Sequence, residues 1–185
     1  MKYRAAILLW LLCCQFTVAA YEIRQVDVHR DDDDAFRMAF EVVLNASQAG
    51  VYQLITDYAS LHRLNDIVLE SSVINEAGKG RKLRQMLLHS CVLFFCKNMR
   101  VLEQMEENGS NEITATIIPG QSDFHEGISY WRVLPGGPGQ SRLLLNSTFR
   151  PAFWVPPLVG TWLIKSRVQH ELAIMSQRIE TLVKE

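Results

Sequence analysis

This sequence lacks an excess of either charge. Lys and Arg number 19 against 20 Asp and Glu, a formal net charge of −1. A protein that grips phosphates carries a basic stripe, so this balance argues against nucleic acid and against steering to a polyanion. Long apolar runs are missing too. The run from Ala5 to Phe16 is about a dozen residues, short of the ~20 that a membrane-spanning helix needs. Proline and glycine are few, six and ten, and residues 161–185 contain neither, so nothing there interrupts a helix. Catalytic signatures are absent: no HExxH, no paired CxxC, no Ser-His-Asp order and no phosphate-cradling glycine loop. The glycine-rich stretch Pro135–Gly139 has the composition of a hairpin turn.

What is present begins with a leader. Lys2 and Arg4 precede the apolar stretch, and Thr17-Val18-Ala19-Ala20 places small residues before Tyr21, the layout of a secretory signal peptide over residues 1–20. Cleavage there leaves 17 basic residues (19 minus Lys2 and Arg4) against 20 acidic ones, a net charge of −3. Export, to a periplasm or outside the cell, is the expected localisation. Residues 21–34 read as an extension or edge strand ending in four aspartates. That run lacks the spaced ligands of a calcium loop, so a solvated turn is expected.

From residue 35 the chain reads as one globular domain of the α+β class. Phe36, Met38, Phe40, Val42 and Leu44 alternate along one face of a strand. Asn45 or Ser47 is placed to cap a first short helix, and Ser60–Asn65 suits a second. About six strands follow, separated by turn signals at Gly78–Gly80, Asn108-Gly109-Ser110, Pro119-Gly120 and Pro135–Gly139. The chain then enters a long helix at Pro156-Pro157. Val168, Leu172, Met175, Ile179 and Leu182 form its apolar stripe, and Lys165, Arg167, Glu171, Arg178 and Glu180 are expected mostly elsewhere. Such a helix needs an apolar surface of similar length, and a curved antiparallel sheet is what precedes it.

This order resembles the helix-grip fold of the START, pollen-allergen and polyketide-cyclase group. The local matches are closest to its cyclase/dehydrase and coenzyme Q-binding branch: Phe40-x-Val42, Leu54-Ile55-Thr56-Asp57-Tyr58, Ile67 to Val73, Pro119, Asp123-Phe124, Gly127, Trp131, and Phe153 to Gly160 before the last helix. The resemblance spans residues 35 to 185 and implies a deep apolar cavity between sheet and helix that holds lipids, quinones or polyketides. It also points to a bacterial source, where the leader sets this chain apart from intracellular cyclases.

Three features remain for the site. Met38, Phe40, Val42, Trp131, Trp162, Leu172 and Met175 are the candidate cavity residues. His89 and Tyr130 are the candidate acid/base groups, with Asp57 and Asp123 behind them, each having an ordinary structural alternative. Cys91 and Cys96 are ~17 Å apart if extended but meet across a tight hairpin; a disulfide and two buried thiols both stay open. Two cysteines are half of a tetrahedral metal set, so no metal is expected. Between them, Val92–Phe95 forms either an exposed apolar tip that makes transient contact with a membrane or a partner, or a plug at one end of the cavity. The expected function is binding of a hydrophobic small molecule by a monomer without a cofactor. The alternatives are a cyclase or dehydratase acting on a polyketide-like substrate, and an interaction module using the tip.

Overall fold

The computed structural model of the protein describes residues 21–75, 82–92, 94–155 and 161–185. The expected leader (1–20), the turn at Gly78–Gly80, Leu93 of the tip and the helix start at Pro156-Pro157 lie outside the described residues. In chain order come β1 (Glu22–Arg30), β2 (Phe36–Leu44), α1 (Gln48–Thr56), a 3-10 turn (Leu61–Arg63), β3 (Val68–Asn75), β4 (Lys82–Val92) and β5 (Phe95–Asn108). Then follow β6 (Glu112–Ile117), β7 (Phe124–Pro135), β8 (Ser141–Pro151) and α2 (Thr161–Leu182). All eight strands join one antiparallel sheet in the order β1-β2-β8-β7-β6-β5-β4-β3. The curved sheet with α2 packed along it is the helix-grip architecture.

The connection between β2 and β3 makes this topology. Ser47, not Asn45, caps α1: its Oγ accepts from Gly50 N at 3.2 Å. Asn45 instead donates its backbone N–H to Glu180 Oε1 at 2.7 Å, tying the end of β2 to α2. With the 3-10 turn, α1 carries the chain from one side of the sheet to the opposite edge, and β3 to β8 then return strand by strand. The aspartate run is a solvated hairpin turn between β1 and β2, where Asp31 N donates to Ala35 O and the run pairs with its own arginines, Asp31 with Arg37 and Asp34 with Arg30.

Alternation puts one face of each strand on the core. Phe36, Phe40, Val42 and Leu44 are buried, and Val51, Ile55, Leu172 and Ile179 close on them from the helices. One expectation for α2 is corrected. Glu171 and Glu180 do not sit on a solvated face; each is 7% exposed. Glu171 falls at Ile164–Val168–Glu171–Met175 spacing, on the side that meets the sheet, and Glu180 is buried by its bonds to Asn45.

Candidate functional site

The sheet and α2 do not close along their whole length. Beyond Met175, Ile179 on α2 joins the continuous core with α1 and β2, with Leu182 and Val183 packed against it. Toward the start of α2, helix and sheet leave between them a cavity of about 450 Å³, within the ~300–1,000 Å³ range of small-molecule sites. Met86, Leu88, Met99, Val101 and Met105 wall it from β4 and β5, and Ile164, Val168, Leu172 and Met175 from α2. One flank is aromatic. Phe36 stacks on Phe149 (5.8 Å between centroids), Phe149 meets Phe124 edge-on (5.7 Å), and Phe124 meets Phe153 (6.1 Å). Lys97 Nζ lies 4.7 Å from the Phe153 centroid, extending the aromatic flank to β5.

Gly127 belongs to this wall for a steric reason. A Cβ there would stand 2.5 Å from Ile117 Cδ1 and 3.2 Å from Phe149 Cβ. The glycine allows β7 to pack closely against Ile117 and Phe149.

Two ion pairs interrupt the apolar surface. Arg84 and Glu103 face each other across β4 and β5, with Nε 3.0 Å and Nη2 2.5 Å from Glu103 Oε2, and both side chains are under a tenth exposed. The guanidinium also lies 5.5 Å from the Tyr58 ring centroid. Tyr58 donates to Glu107 at 3.1 Å, and burial, then the Glu107 charge, push its phenol above the ordinary tyrosine range. On the helix side Arg167 meets Glu171 at 2.5 Å. Asn65 ties the 3-10 turn to that place by donating to Glu171 O at 3.0 Å. Among the described residues, Glu171 Oε2 and Arg167 Nε are both buried without a hydrogen-bond partner. A buried carboxylate oxygen and a buried N–H left this way are costly unless something else satisfies them.

Of the residues the sequence nominated, Met38, Trp131, Leu172 and Met175 line the cavity. Phe40 and Val42 do not; they are 2% and 0% exposed in the solid core, because α1 and the distal half of α2 fill the space over that part of β2. Trp162 does not either. It is 73% exposed, on the helix face it shares with Ser166 and Gln169, turned away from Ile164 and Val168.

The candidate acid/base groups do not converge. Tyr130 is 52% exposed, and its neighbour Trp131 is the one turned to the cavity. His89 hydrogen-bonds Asn98 through Nδ1 at 2.6 Å and is not on the wall. Asp57 ends α1, and Asp123 accepts from Arg100 N at 2.6 Å. Cys91 and Cys96 sit opposite each other on β4 and β5 and are joined by a disulfide. At the tip, Phe94 is 95% exposed while Phe95 lines the cavity, so the two expected roles divide between neighbours.

Sequence reasoning missed Arg84, Glu103, Arg167 and Glu171. A signal for two of them was present: Glu103 interrupts the alternation Met99, Val101, Met105 on β5, and Glu171 completes the apolar face of α2.

Among curated proteins none matches this chain. Solved structures do. The protein TTHA0849 from Thermus thermophilus superposes with a TM-score of 0.63 at 21% identity, covering 80% of this chain and 97% of that one. The Zhui aromatase/cyclase from Streptomyces sp. R1128 gives 0.62 at 11% identity, covering 81% and 94%. A START superfamily protein from Mycobacterium smegmatis gives 0.63 at 18%, covering 79% and 98%. At such identities the likeness is one of fold, and it is the START-like fold. The family pattern described as polyketide cyclase / dehydrase and lipid transport matches residues 35–180. By that match, and with a cavity suited to a ligand-binding or cyclase role, the chain belongs to the polyketide cyclase / dehydrase and lipid transport family.

Proposed function

We propose that this protein is an exported, monomeric carrier of a hydrophobic small molecule of lipid, quinone or isoprenoid type, held non-covalently between the sheet and α2. The observation that carries this reading is the largely apolar cavity of about 450 Å³. Burial in such a space contributes ~25 cal/mol per Å² of apolar ligand surface. The unpartnered Glu171 Oε2 and Arg167 Nε favour a ligand with a hydroxyl or carbonyl at that point, not a bare hydrocarbon. Phe94, Trp154 and Trp162 are 95%, 70% and 73% exposed, each within two residues of a cavity-lining side chain. Their placement supports transient contact with a lipid surface during loading.

Native mass spectrometry of protein purified from the exported fraction, followed by organic extraction, tests the reading. A mature chain beginning near Tyr21 with one co-purified apolar compound of defined mass is expected. A chain that carries nothing and binds neither fluorescent fatty-acyl nor quinone probes would overturn it. In the membrane arm, replacing Phe94, Trp154 and Trp162 by Ser should lower liposome binding; unchanged binding would remove that part of the proposal. A cyclase or dehydratase would instead turn over a polyketide-like substrate, with activity lost when Glu103 or Glu171 becomes Gln.

A further inference from the structure

The hairpin that carries Phe95 into the cavity has a second face. Ser90 and Lys97 point to the cavity wall, so alternation turns their neighbours His89, Cys91, Cys96 and Asn98 to the opposite side of the sheet. There His89 Nε2 and the two sulfurs lie within 4.8 Å of one another. The imidazole is oriented. Asn98 Oδ1, an acceptor, lies 2.6 Å from Nδ1, which therefore carries the proton and leaves a lone pair on Nε2. That lone pair is 3.5 Å from Cys91 Sγ. A disulfide sulfur has no proton to offer it, so in the oxidised protein Cys91 does not donate to the oriented nitrogen.

We propose that, once the disulfide is reduced, His89, Cys91 and Cys96 form a redox-gated site for a thiophilic metal ion such as Zn(II). Two thiolates and one imidazole supply three tetrahedral ligands, with water as the fourth. For Zn–S of ~2.3 Å and Zn–N of ~2.0–2.1 Å, the S···N edge of a tetrahedron is ~3.5 Å and the S···S edge ~3.8 Å. His89 Nε2 to Cys91 Sγ is 3.5 Å in the oxidised protein, and the two sulfurs reach their edge by moving apart once their bond is broken. An acceptor holding the far ring N–H is the usual outer-shell partner of a metal-bound histidine. Counting cysteines alone reaches half the set; the strand register brings the third ligand from two residues upstream.

A dithiol reductant passes two electrons and two protons to the Cys91–Cys96 bond and closes to its own disulfide. The ion then displaces both thiol protons.

The test uses the full mature protein, reduced with dithiothreitol and exchanged anaerobically into reductant-free buffer. Co(II) is titrated first as a spectroscopic stand-in, then Zn(II). A thiolate-to-cobalt charge-transfer band saturating at one ion per chain, bleached by Zn(II), is expected. Nearly two protons should be released per ion near neutral pH. Asn98→Ala should weaken affinity by ~10–100-fold, and the oxidised protein and the C91S/C96S variant should give no band. Absence of the band in reduced protein, or equal affinity in His89→Gln and wild type, would overturn the proposal.

Discussion

The Arg84–Glu103 pair offers a sharp test of how dry the cavity is. Replacing Glu103 by Leu removes the only carboxylate bonded to the Arg84 guanidinium among the described residues and leaves that charge on an apolar wall. Both side chains are under a tenth exposed, and breaking a buried pair from one side costs about 3–5 kcal/mol. For a domain of this size each kcal/mol moves Tm by roughly 2–4 °C, so E103L should melt about 6–20 °C lower. The double variant R84M/E103L leaves no orphaned charge and should fall within about 1 kcal/mol of wild type or above it. Urea denaturation of wild type, R84M, E103L and the double variant closes the cycle, with a coupling energy of about 3 kcal/mol or more expected. If E103L lost less than about 1 kcal/mol, the reasoning would be refuted. Water filling the cavity would then be solvating the pair, which would also weaken the case for an apolar occupant.

Three further outcomes follow from the same geometry. Gly127→Ala should cost about 1–3 kcal/mol by overpacking, read as a lower urea midpoint, because the new methyl meets Ile117 and Phe149. Met175→Trp should fill the cavity and weaken binding of an apolar fluorescent probe by more than ~10-fold, whereas Trp162→Ser, on the exposed face, should leave it unchanged. Tyr58 has a raised pKa through burial first and then the Glu107 charge. Its contribution to stability is complete below the ordinary tyrosine value of 10.0 and is lost as pH rises beyond it, since the unfolded phenol ionises first. Urea midpoints measured above pH 10 should therefore fall more steeply for wild type than for Tyr58→Phe.

The order of elements was legible in the chain because each rests on local information. The β2 alternation from Phe36 to Leu44, the Ser47 cap and the Asn108-Gly109 turn mark their own places. The stretch free of proline and glycine after residue 160 contains the described helix Thr161–Leu182. Packing was another matter. Phe40 and Met38 share one face of one strand, yet the first is core and the second is cavity wall, because α1 and Ile179 of α2 fill the space over Phe40 while the cavity opens beside Met38. Periodicity tells which way a side chain points and nothing about the distance to the opposing surface.

The same gap hid the charged residues. Glu103 and Glu171 sit in register with apolar neighbours, and a charge at such a position becomes tolerable only when the fold delivers Arg84 from the adjacent strand and Arg167 from the preceding turn. It also hid the third member of the cysteine cluster, since His89 and Cys96 meet only through strand pairing. From its sequence alone this protein has its elements, their order and the inward face of each strand. Tertiary structure decided where those faces meet, where they stay apart, and which charges and sulfurs are brought together, because these are set by distances between segments remote in the chain.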